Sequence, residues 1–189
     1  MLCPQLRRLR LIHSRHFIHR NLKPSNIVMG VGEQANVVHL IDFGLSKECR
    51  NPKTHAHIPF KNGHRLVGIA FFASINSHLG SELGRRDDLE SLAYILFYFL
   101  WGSLPWQGMR AKDMLKSKQN ISTNNLFQEL PTELRAFLEH SRSVAFDRKP
   151  DYDHFIALFE NLLSREVSES DMAFDWDVAD SVAQCVGGV

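Results

Sequence analysis

The residues able to do chemistry in this sequence gather in two short segments. The first, His19-Arg20-Asn21-Leu22-Lys23-Pro24-Ser25-Asn26, places two side-chain amides and one ammonium within six residues. The second, Asp42-Phe43-Gly44, supplies a carboxylate sixteen residues after Asn26. Carboxylate and carbonyl oxygens are the ligands that Mg²⁺ prefers, and an ammonium suits a developing negative charge. The first segment has no carboxylate. An amide at position 21 accepts a hydrogen bond through its oxygen but cannot take up a proton as a general base. His55 and His57 form a His-x-His pair, yet a zinc site needs further ligands at suitable spacing and none follows.

For the two segments to meet, the chain between them must fold back. Ile27-Val28-Met29 and Val37-Val38-His39-Leu40-Ile41 are β-rich, and the Gly-containing segment 30–36 joins them, so a small hairpin is predicted. Upstream, Leu2, Leu6, Leu9 and Ile12 recur at helical spacing, with Arg7, Arg8 and Arg10 as the solvated face. A chain that opens inside a helix, with no cap before it, is expected to be truncated. Residues 42–84 predict a long irregular loop, of the kind that usually carries function. Asp88 to Trp101 is apolar on nearly all faces and belongs in the middle of a domain, with Gly102 as its stop. Residues 109–120 are polar and weakly helical, and Lys112, Lys116 and Lys118 predict a wet surface. Pro131 to Ser143 and Asp151 to Ser164 are amphipathic helices, the second capped by Asp151 or Asp153. Beyond Arg165 the sequence turns acidic and then small, with Phe174 and Trp176 as possible anchors. Residues 1–165 are thus expected to form the domain, and 166–189 a partly disordered tail.

Composition sets the outer limits. With 189 residues, 44% hydrophobic and 23% charged, the chain has enough apolar material for one core. A net charge of +1 gives no strong case for nucleic acid or an anionic membrane. Cys3, Cys49 and Cys185 show neither metal-ligand spacing nor a disulfide framework, which points to a reducing compartment. The first residues carry no secretory pattern, and the longest apolar stretch, 89–101, is too short to span a bilayer.

The segment His19 to Asn26 resembles the protein-kinase catalytic loop, and Asp42-Phe43-Gly44 stands where kinases carry their metal-binding Asp. Four further segments look like casein kinase I: Thr54 to Pro59, Ala73-Ser74-Ile75-Asn76-Ser77-His78-Leu79-Gly80, Arg85-Arg86-Asp87-Asp88-Leu89-Glu90-Ser91-Leu92, and Gly102 to Gly108. Lys149-Pro150-Asp151-Tyr152 fits as well. The resemblance runs from about Leu2 to about Trp176. It implies a serine/threonine protein kinase that uses ATP and Mg²⁺. By that resemblance Asn26 and Asp42 would be the metal ligands, and Lys23 would neutralise charge on the transferred phosphoryl group. Lys23, Asn26 and Asp42 would then be the cofactor contacts, and Asn21 stands where the base Asp belongs. Asp88 would cap the catalytic-loop backbone, and His19 would be structural. The implied fold is mainly α: a kinase-like C-terminal lobe with a small β-hairpin near the catalytic loop, and with the N-terminal β-rich lobe absent.

Departures from the family pattern set the expected activity. Asn21 forfeits general-base catalysis, which typically contributes ~10²–10⁴-fold. Ile69 follows Gly68 where the family has a Thr that links the base to the Lys, and Phe71 replaces an Arg that holds an anion on the substrate side. No Gly-rich loop or Lys-bearing strand precedes His19, and Gly30 and Gly32 come too late to form one. Binding of ATP and Mg²⁺ is therefore expected to be weak and catalysis impaired. The alternatives are a non-catalytic pseudokinase or protein-binding module, or a gene-model fragment of an active kinase. The expected partner is a protein, substrate or otherwise, rather than nucleic acid or membrane. It would associate through apolar surface left exposed near Ile27, Leu40 and Ile41. A cytoplasmic or nuclear location follows from the resemblance.

Overall fold

The computed structural model describes residues 2–127 and 130–166. The tail with Phe174, Trp176 and Cys185 lies outside the described residues. Among those described, the elements are α1 (Leu2–Ser14), β1 (Phe17–Ile18), β2 (Ile27–Met29), β3 (Val38–Leu40), β4 (Lys47–Glu48), α2 (Ile75–His78), α3 (Arg85–Trp101), α4 (Ala111–Asn120), α5 (Thr123–Leu126), α6 (Thr132–Ser143) and α7 (Tyr152–Glu166). The mainly helical class expected from the sequence holds. The predicted hairpin is β2 paired antiparallel with β3, with Ile27 opposite Leu40 and Met29 opposite Val38.

The helical stripe of α1 buries Leu6 and Leu9 completely, and α1 packs against α7 and β3. The opposite face is exposed at Arg7 and Arg10, as its arginines suggest, and it carries polar contacts as well. Arg7 pairs with Glu160 and Arg10 with Asp153, both on α7, while Arg8 Nε donates to Val38 O at 3.1 Å. These arginines staple the first helix to the last helix and to the hairpin.

α3 is the central element, packed on α6, with Leu89, Leu92, Tyr94, Ile95 and Leu96 all buried. It ends at Gly102, whose φ of 79° is left-handed and suits glycine. Its last turn departs from the expectation of a wholly buried helix, because Phe99, Leu100 and Trp101 are 41%, 55% and 51% exposed. α6 contributes Leu134, Phe137 and Leu138 to the same core, and α7 contributes Phe155 and Phe159. Asp151, not Asp153, caps α7, accepting from His154 N at 3.1 Å.

Two further expectations need correction. Lys118, on polar α4, is fully buried rather than wet. Its Nζ donates to Ala70 O at 2.8 Å and Ala73 O at 2.6 Å, and it sits about 5 Å from the ring centroids of Tyr94 and Trp106. At the hairpin, Ile27 and Leu40 are partly buried against the core, while Ile41 is exposed as expected and is joined by Phe43 and Leu45. The stretch 42–84 is largely irregular, but it is tied down by β4 pairing with β1 and by the single turn of α2.

Candidate active site

The hairpin decides where the two motifs meet. Asn26 closes a 3₁₀ turn at the entrance to β2, and Asp42 stands just past β3. Ile41 N donates to Asn26 O at 3.0 Å, which continues the ladder and fixes the two residues side by side. The side chains follow. Asn26 Nδ2 lies 3.3 Å from Asp42 Oδ2 and donates to Asn21 O at 2.9 Å, while Asn21 Nδ2 donates to Asp42 Oδ2 at 3.1 Å. Asn21, Asn26 and Asp42 therefore converge on one point. Lys23 lies in the same loop, half-buried, and its ammonium has no hydrogen-bond or ion-pair partner among the described residues.

The loop that carries Asn21 is held from two sides. Asp88, from the first turns of α3, accepts from His19 N at 2.7 Å and from Arg20 N at 2.8 Å. That is the capping role the resemblance implied. His13 Nε2 meets the same carboxylate at 2.8 Å, and His13 Nδ1 meets the Tyr152 hydroxyl at 2.5 Å. Burial works against charge on Asp88, but the His13 ring and the two backbone amides outweigh it and hold the carboxyl below the usual carboxylate range. On the other side, Asn21 N donates to His19 Nδ1 at 3.3 Å, so the ring proton sits on Nε2 and is given to Ile41 O at 3.0 Å. His19 thus joins the catalytic-type loop to the residue just before Asp42. Arg20 and Asp42 occupy left-handed conformations, with φ of 65° at both. Such backbone is costly for residues other than glycine and persists where surrounding bonds fix it.

Gly68 approaches the loop from the long segment. Its φ is 80°, and a Cβ there would lie 2.7 Å from Arg20 O, so only glycine fits. Ile69 next to it is 48% exposed and offers no hydroxyl to the site. Phe71 is an aromatic packing residue, edge-on to Phe72 at 4.8 Å, with its carbonyl accepting from Trp106 Nε1 at 2.8 Å. His57 packs edge-on against Phe146, and His55 lies 5.1 Å from the ring of His16. These histidines hold the segment's shape. Among the described residues no three His, Cys, Asp or Glu side chains form a metal cluster.

The anchoring of the irregular segment around Ser74 rests on contacts that have no local signal. Ser74 Oγ and Asn76 Nδ2 donate to Asp87 Oδ1 at 2.8 and 2.9 Å, and Gly84 N donates to Asp87 Oδ2 at 2.7 Å. Burial pushes the Asp87 carboxyl up to about 6 despite these donors. Ile75 N, the Tyr94 hydroxyl and Arg142 Nε all meet Glu90 Oε1. Lys118 holds the same segment through the carbonyls of Ala70 and Ala73, with its Nζ 3.2 Å from His78 Nε2, and burial pushes that ammonium down to about 7.

The site fits a magnesium ion in its donor chemistry. Neither Asp42 Oδ1 nor Asn26 Oδ1 accepts a hydrogen bond from the described residues, so each keeps a hard oxygen uncommitted. Gly44 leaves room beside the first, since a Cβ there would come within 3.3 Å of Asp42 Oδ1. One carboxylate with one amide is a sparse set, of the kind Mg²⁺ accepts when substrate phosphates and waters complete its shell. No helix among the described residues is long and apolar enough to cross a membrane. A model of the protein kinase domain matches residues 4–169, most of the chain. Catalytic-type loop, hairpin and carboxylate lie within that span in kinase order, and the chain belongs to the protein kinase domain family.

Proposed function

We propose that this chain is a casein kinase I-like serine/threonine kinase homologue whose phosphotransfer is impaired at the base position. Its family generally works with ATP and Mg²⁺. Here Asn26 and Asp42 would hold the metal, which when bound neutralises charge on phosphate oxygens. Lys23, with its unpaired ammonium, would face the phosphoryl group. The casein kinase I assignment draws support from the Ser74-Ile75-Asn76 segment locked onto Asp87 and Glu90 of α3.

The single observation that carries the impairment is the orientation of Asn21. Its amide nitrogen points at Asp42 Oδ2, 3.1 Å away, where a base would instead offer a lone pair to the substrate hydroxyl. Without proton transfer to a base, the barrier rises by several kcal/mol, equivalent to the ~10²–10⁴-fold that such a group contributes. The test is phosphotransfer from Mg–ATP to a protein acceptor by the full chain. The proposal expects no turnover above that of Asp42→Ala. Turnover in the native chain that Asp42→Ala abolishes and that Asn21→Asp does not raise would overturn it.

A second reading, a non-catalytic protein-binding module, is favoured by Ile41, Phe43 and Leu45, which lie 42%, 46% and 40% exposed around Asp42. Ile41→Ser with Leu45→Ser should raise solubility or abolish association. Unchanged behaviour of that variant would remove this reading.

A further inference from the structure

We infer that the cleft between α1, the residues just after β4, the start of α3 and α7 binds a multiply charged phosphate group, either a free oligophosphate or a phosphate ester. The cleft is half open and has a volume of about 580 Å³, within the range of small-molecule sites. It shares no residue with the Asn21, Asn26 and Asp42 cluster, so the proposal stands apart from the kinase reading of that cluster.

Some of the charges around the cleft are already neutralised and others are not. Arg7 and Arg10 line the cleft but are committed to Glu160 and Asp153, and Asp153 is the one carboxylate in its lining. Arg50, Arg85 and Lys149 line it too, and none of the three forms an ion pair among the described residues. Arg85 carries most weight. It is only 4% exposed, its Nη2 donates to Asp147 O at 2.6 Å, and its Nε is buried without a partner among the described residues. A guanidinium out of water with no ion pair among the described residues and an unused donor is costly. His16, also in the lining, leaves its buried Nδ1 unpartnered as well.

The ligand class follows from the count and the shape. Three unneutralised cations around one cavity call for an anion of two or more charges, and a monocarboxylate would leave two of them bare. Guanidinium forks match the oxygens of phosphate, and Lys149 adds a mobile point charge at the rim. A duplex or single strand needs a basic stripe over the surface. This chain has a net charge of +1, and among the described residues Arg50, Arg85 and Lys149 gather around one cleft.

The experiment is calorimetric titration of the full chain with inorganic pyrophosphate, and separately with O-phosphoserine, in chelator-treated buffer at fixed ionic strength. Removing divalent cations silences the Asp42 cluster and isolates the cleft. One saturable site is expected with at least one probe, and the tighter probe identifies the source as oligophosphate or ester. Arg50→Gln and Lys149→Gln should each weaken binding about tenfold or more, the loss of one charge-assisted hydrogen bond. Arg85→Gln should abolish it; should that variant fail to fold, the two rim variants decide. Absence of saturable binding by both probes, or binding unchanged in both rim variants, would overturn the proposal.

Discussion

Replacing Asn21 by Asp sets a second carboxylate against Asp42 and so tests the electrostatics of the site directly. In the native chain the pair is an N–H donor and an acceptor 3.1 Å apart. In Asn21→Asp the same separation holds two like charges. At that distance Coulomb repulsion is about 1 kcal/mol at the dielectric of water and about 5 kcal/mol at an effective dielectric of ~20. Asp42 is exposed, which favours the lower end. Adding ~1 kcal/mol for the lost hydrogen bond gives a destabilisation of about 2 kcal/mol. For a domain of this size that is a fall in melting temperature of ~4–8 °C. Mg²⁺ between the carboxylates should restore most of it, while the native chain should respond to Mg²⁺ far less. The assay is thermal unfolding by circular dichroism of both chains, with and without millimolar Mg²⁺. Equal melting of the two chains in chelator, or an equal Mg²⁺ response, would refute the reasoning.

Two further perturbations test the scaffold around the site. Asp88→Asn leaves one oxygen for the amides of His19 and Arg20 and strips His13 of its charged partner, so stability should fall by about 3–5 kcal/mol. Hydrogen exchange at those two amides should accelerate along with it; unchanged exchange there would contradict the capping role. The depressed carboxyl of Asp88 also predicts acid lability: its stabilisation is full above the unfolded value near 4 and is lost as pH falls through the lower folded value, and Asp88→Asn should lack that transition. For Lys118 the sign is the reverse of a paired lysine. Its folded value near 7 lies below the unfolded 10.5, so the unfolded chain binds more protons between those values, and stability should rise with pH across that window by up to ~1.4 kcal/mol per unit. Lys118→Met should flatten that slope when compared with the native chain by denaturant titration at pH 7, 8 and 9.

The parts of the site legible in the sequence were those fixed by local geometry. The two β-rich runs around a Gly-containing turn predict that Asn26 and Asp42 come together, and the ladder bond from Ile41 N to Asn26 O is the physical reason they do. What stayed hidden depends on contacts between distant segments. Lys118 lies in a helix whose polar spacing looks solvated, but its neighbours are the carbonyls of Ala70 and Ala73 and the rings of Tyr94 and Trp106, none of them local. Arg7 and Arg10 look like a wet face until α7 arrives with Glu160 and Asp153. Asp87 and Glu90 had no visible task because their partners, Ser74, Asn76 and Ile75, come from an irregular segment with no periodic signal. The exposed last turn of α3 was missed for the opposite reason: composition alone cannot say where an apolar helix leaves the core.

A shared position for a divalent cation between Asn26 and Asp42 can be located with paramagnetic Mn²⁺ even when binding is weak. In proton–nitrogen spectra of the full chain, the side-chain amide signals of Asn21 and Asn26 should broaden first as Mn²⁺ is added, recover with excess Mg²⁺, and stay sharp in Asp42→Ala. If those amides remain sharp at Mn²⁺ concentrations that broaden signals beside other carboxylates, the two motifs do not form a metal site.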